Sequence, residues 1–168
     1  MRKSNLGVWI AGVAVGASVA LVGAPAAWAA QPHEHDHGAA APAKLSLDHG
    51  RKWGTDAPLR DGMGRIRALV EPQLAAAHGG KLSAAQYAAL AGEVETQVAG
   101  IVSNCKLEPK ADAMLHIVIG DIGAGTDAMA GKGGAAGAAQ GLVRVAKAVN
   151  AYGSNFDHPG FKPIRGLH

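Results

Sequence analysis

Aromatic side chains are scarce in this sequence, 4% of 168 residues, and cysteine occurs once, at Cys105. The apolar fraction is 48% and consists mostly of Ala, Val, Leu and Ile. That mixture argues against a β-sandwich, whose strands need more Thr, Tyr and Phe, and favours packed helices. Charge of one sign is also missing. Once Arg2 and Lys3 are set aside, 14 of the 16 basic residues remain against 13 acidic ones, so nothing suggests nucleic-acid binding. Catalytic patterns are absent too: there is no Ser-His-Asp spacing, no H-E-x-x-H and no pair of carboxylates within an apolar seam. No enzyme is expected.

What is present begins with an export pattern over residues 1–29. Arg2 and Lys3 form a basic start, Leu6 to Val22 carries no charge, and Ala27-Trp28-Ala29 has the small-x-small form that signal peptidase reads. The expectation is a cleaved signal and a periplasmic or secreted product with no stable membrane insertion after cleavage. The alternative is a retained anchor, since the run is just long enough to span. In an oxidising compartment a lone cysteine is a buried thiol, a metal ligand or a bridge to a second copy, which leaves a homodimer open.

Residues 30–44 lack periodicity and read as a disordered tail. Within it His33, His35 and His37 alternate with Glu34 and Asp36. In an extended chain that spacing puts three imidazoles on one side, where they suit ion capture, while the plain alternative is a solvated spacer. An amino-terminal copper/nickel motif is excluded. Cleavage after Ala30 leaves Pro32 second, and proline has no N–H to deprotonate.

Residues 45–168 carry an ordered lead-in and four helical patterns, giving an all-α, up-down-up-down four-helix bundle with an irregular C-terminal extension. In the lead-in, Leu45, Leu47 and Trp53 suit packing on helices, while His49 and Arg51 suit water. Helix one starts at Thr55 or Asp56 with Pro58 in its first turn, and Leu59, Met63, Ile66, Val70 and Leu74 form its stripe. Pro72 should bend it and His78-Gly79-Gly80 close it. Helix two opens on the Ser83/Gln86 capping box with Leu82 and Tyr87 as a hydrophobic staple. Its seam is Tyr87, Leu90, Val94, Val98, Ile101 and Cys105. Helix three begins at Pro109 and carries Leu115, Val118, Ile122 and Met129, widened by Met114, Ile117 and Ile119. Gly131 to Gly141 reads as a flexible connection. Gly131-Lys132-Gly133 lacks the earlier glycine, the Ser/Thr and the strand of a phosphate loop. Helix four carries Leu142, Val145, Val149, Tyr152 and Phe156.

Alternating helix directions should gather Met63, Cys105, His116, Tyr152 and His158 at one pole. Thioether, thiolate and imidazole form the soft set that selects Cu(I), and Asp112 lies one turn before His116 to accept its second N–H. The expected function is periplasmic metal handling, with copper as the ion. His33, His35 and His37 would collect it and Met63, Cys105 and His116 would hold it. The competing expectation is a metal-free structural or interaction protein in which Met63 fills core space.

An exported bundle with a methionine two turns into its first helix resembles the bacterial cytochrome b-type and c-prime-type bundles over residues 56–156. The resemblance implies haem and an electron-carrier role, with Met63 at an axial-ligand position. The sequence departs from those families in having no C-x-x-C-H and no histidine in helix four, so a haem would need His116 as its second ligand. The phrases L-D-H-G-R-K-W-G-T-D-A-P-L-R-D-G-M (Leu47 to Met63) and N-A-Y-G-S-N-F-D-H-P-G-F (Asn150 to Phe161) are similar to a group of small exported bacterial proteins sometimes labelled DnrO, which implies no established activity.

Overall fold

The local start signals set the helices. Asp56 takes an extended conformation and accepts the Leu59 N–H through its carboxylate, so α1 runs Ala57–Val70 with Pro58 in its first turn. Pro72 cannot donate to the ladder, and the rod passes through a 3₁₀ turn at Glu71–Gln73 before resuming as α2, Leu74–His78. Gly80, at φ 62°, turns the chain out of α2. The Ser83/Gln86 capping box is formed in full and starts α3, Ala84–Asn104. Helix α4 spans Pro109–Met129 and α5 spans Ala138–Asn155. The computed structural model describes residues 44–132 and 137–167. The expected signal at residues 1–29 and the histidines His33, His35 and His37 lie outside the described residues.

Four rods, the first being α1 and α2 in series, make an all-α four-helix bundle. Contacts run α1–α3, α3–α4, α4–α5 and α5–α1, closing a ring around one core. The stripes named from spacing bury as expected. Leu59, Met63, Ile66, Val70 and Leu74 come from the first rod, Leu115, Val118, Ile122 and Met129 from α4, and Leu142, Val145, Val149 and Tyr152 from α5, while Phe156, expected on the same helix, is buried just past its end in an extended conformation. On α3, Tyr87, Leu90, Val94 and Ile101 are buried, whereas Val98 and Cys105 are only half-buried. Leu47 of the lead-in stays exposed instead of packing with Leu45 and Trp53. Among the described residues no helix is long and apolar enough to cross a membrane.

The glycine-rich connection is shorter than its composition suggested. Ala138 to Gly141 already belong to α5, and Gly141 meets Gly125 of α4 at a close backbone crossing. A Cβ on Gly141 would lie 2.6 Å from the Gly125 carbonyl oxygen, and one on Gly125 would lie 2.8 Å from the Gly141 carbonyl oxygen. The two helix backbones therefore touch where both side chains are absent.

After α5 the chain folds back as an irregular strap. The Asn150 side-chain amide donates to the Ile164 carbonyl at 2.9 Å and its oxygen accepts the Ile164 N–H at 2.7 Å. Arg67 of α1 donates to the Lys162 carbonyl at 2.6 Å, and the Phe161 ring fills the space over Gly153. Ile164 is buried.

Candidate functional site

One end of the bundle collects the lead-in, the α3–α4 link and the end of α5. Trp53 and Phe156 form an isolated parallel bridge in which the Trp53 N–H donates to the Asn155 carbonyl and the Asp157 N–H donates to the Trp53 carbonyl, both at 2.8 Å. The Trp53 indole donates to the Ser46 carbonyl at 2.6 Å. Thr55 adds a hydroxyl bond to the Asp157 carbonyl, and Arg60 donates to both oxygens of Thr55. Asp56 then ties this end to the next helix pair. While Oδ1 caps α1, Oδ2 accepts the Lys106 N–H at 2.6 Å. An open groove of about 670 Å³ lies between Trp53, Asp56, Leu107 and Pro109, with Lys106 and Glu108 on its rim.

Cys105 ends α3 beside this groove, in an extended conformation, with its N–H bonded to the Ile101 carbonyl. Burial pushes its thiol above the ordinary value, and the negative charges of Asp56 and Asp112 push it further, against a smaller opposing effect of a backbone hydrogen bond. The thiol is therefore protonated at neutral pH, which removes the thiolate that an activated nucleophile needs. A proton must leave when a metal binds there.

His116 stands one turn beyond Asp112 on the outer face of α4. Its Nδ1 lies 2.9 Å from the Asp112 backbone carbonyl and 3.4 Å from the Asp112 carboxylate. Both neighbours are acceptors, so Nδ1 carries a proton, which leaves Nε2 as the ring atom that could meet a metal. Its side chain is 64% exposed.

The expected three-donor set does not assemble. Met63 is 0% exposed and packs among the core residues of α1, whereas the His116 imidazole faces water. An ion held by His116 would sit at the surface, out of reach of a thioether enclosed in the core. The same separation counts against a haem ligated by Met63 and His116. Among the described residues no group of three or more His, Cys, Asp or Glu side chains could hold an ion. Asp112 takes the His116 imidazole N–H through its backbone carbonyl, and its negative charge is also felt by the Cys105 thiol. His158 sits past the end of α5, tied to Tyr152, as expected from its place in the chain.

Sequence reasoning missed the second contact of Asp56 and the approach of Met114, whose sulfur lies 3.9 Å from the Ser46 hydroxyl. Asp56 was visible as a cap. Its bond to Lys106 joins residues 50 positions apart, and no local pattern signals it.

No protein family, no curated protein and no solved structure matches the chain.

Proposed function

We propose that the protein is an exported metal-handling bundle of up-down-up-down topology, with copper the ion its donors suit. His33, His35 and His37 collect the ion, and Cys105 with His116 forms a second station at the α3–α4 corner. The observation that carries this reading is the shared aspartate. The Asp112 carboxylate lies 3.4 Å from the His116 ring and its charge is felt by the Cys105 thiol, so it would offset the charge of a cation bound by either donor. Met63 is assigned to the core and takes no part. Because the thiol is held protonated, affinity at the corner rises with pH.

Competition of the mature chain for Cu(I) against a chromophoric chelator tests this. Cys105→Ala/His116→Ala should lose one binding event, and replacing His33, His35 and His37 with Ala should lose another. Met63→Ala should cost about 2–5 kcal/mol of stability and leave affinity unchanged. Wild-type affinity in the Cys105/His116 variant would remove the corner from the proposal. Failure of the wild type to compete at all would leave the second reading, a metal-free interaction protein. That reading draws on the full burial of Met63 and the protonated state of Cys105, neither of which is poised for an ion.

A further inference from the structure

The described histidine with the least exposed setting takes no part in the metal reading. His158 lies in the strap after α5, and its Nδ1 is 2.9 Å from the hydroxyl of Tyr152, a side chain with no exposed surface. His158 is the only hydrogen-bond partner that the Tyr152 hydroxyl has among the described residues. The O–H therefore donates to an unprotonated Nδ1, and the imidazole carries its proton on Nε2. The same residues form an aromatic cluster. The Phe161 ring centroid lies 5.3 Å from that of Tyr152 and 4.9 Å from that of His158, and Phe156 stacks on Tyr152 at 5.3 Å. The lead-in holds Asp157 through Trp53 and Thr55, His158 fastens the strap to α5 just beyond it, and Asn150 and Arg67 hold Ile164 and Lys162 farther on.

We infer that His158 is a pH-sensitive latch: protonating its ring unfastens residues 158–167 from α5 and α1 while the bundle stays folded. A proton on Nδ1 turns the acceptor into a donor, and the buried Tyr152 hydroxyl can then accept but has nowhere to donate. Leaving such a donor unpaired costs about 1–3 kcal/mol. The surrounding charges add to this. Arg60 of α1 opposes a second positive charge and Asp61 of α1 favours it. Arg67 and Lys162 line the same crevice as His158. The Lys52 ammonium of the lead-in sits on the Gly153 carbonyl, and Asp157 precedes the ring in the strap. Tyr152 itself supplies no charge, since burial holds its phenol protonated.

The direction of the switch follows. Burial, then Arg60, lowers the His158 pKa in the fastened state below its ordinary 6.5. The open strap therefore binds the proton more tightly than the closed one. The latch is at full strength above that ordinary value and weakens as the pH falls through it toward the lower fastened value. Opening uncovers Ile164, Phe161 and the end of α5.

Amide hydrogen exchange on the mature protein reads the latch directly. The Ile164 N–H, bonded to Asn150, should lose protection between about pH 7.5 and about pH 5, after correction for intrinsic exchange rates, while core amides of α4 keep theirs. The midpoint should track the His158 ring titration followed by NMR. His158→Asn places a non-titrating acceptor near Nδ1, and its Ile164 protection should be independent of pH. An Ile164 amide equally protected at both pH values in the wild type, or falling alike in His158→Asn, overturns the inference. Should that variant not fold, a wild-type midpoint that fails to follow the His158 titration overturns it equally.

Discussion

The Asp56 carboxylate accepts the backbone N–H of Lys106 at 2.6 Å while capping α1 with its other oxygen. One side chain thereby fixes the start of the first rod to the link between the second and third. That link also carries Cys105 and opens on the groove beside Trp53.

Replacing Asp56 should cost more than an ordinary cap. Asp56→Ala leaves both the Leu59 and the Lys106 N–H groups without their partner, and a loss of about 2–4 kcal/mol is expected from summing a cap and a charge-assisted bond. Asp56→Asn keeps the capping oxygen and should recover roughly half. Urea denaturation of the three proteins at one pH checks the order wild type, Asn, Ala.

Glycines in helices should divide into two classes. At Gly120 of α4 an added Cβ meets nothing within 4 Å, so Gly120→Ala should stabilise by about 0.5–1 kcal/mol through helix propensity. At Gly141 the same methyl group would strike the Gly125 carbonyl and the Ala128 side chain, so Gly141→Ala should destabilise by about 1–3 kcal/mol or more. Thermal melts of the two variants should move in opposite directions.

The Cys105 thiol should be slow to react in the folded chain. Burial raises its pKa first and the two aspartates second, so Asp112→Asn should speed alkylation only in part, while unfolding should release the whole effect. Iodoacetamide labelling at about pH 7.5, followed by intact mass, should give the order folded wild type, Asp112→Asn, unfolded chain. Equal rates for the folded and unfolded chains would show that the thiol is not sheltered.

The stripes were legible because core contact in a helix repeats at three and four residues, and every α5 stripe residue from Leu142 to Tyr152 is fully buried. The two clearest caps, at Asp56 and Ser83, were legible because they need only a few neighbouring residues. The α4–α5 crossing was not. Gly and Ala at 137–141 carry the same composition as a linker, and only a partner with its own glycine at 125 makes them an interface. The placement of the expected metal donors was half legible. Helix order places Cys105 near the start of α4, but His116 sits one residue past Leu115 and well off the Leu115, Val118, Ile122 stripe. That offset turns its ring to water, away from Met63 on the buried stripe of α1.

The scarcity of aromatics acquires a use from where Trp53 sits. It is the sole tryptophan beyond residue 29, and its indole N–H is held by the Ser46 carbonyl at the rim of the α3–α4 corner. Intrinsic fluorescence of a chain beginning after residue 29 therefore has a single strong emitter, stationed where the lead-in joins the helices. Its spectrum reports on the docking of that junction and is nearly blind to the far end of the molecule, so a shift in emission without loss of ellipticity would locate a disturbance without any added dye.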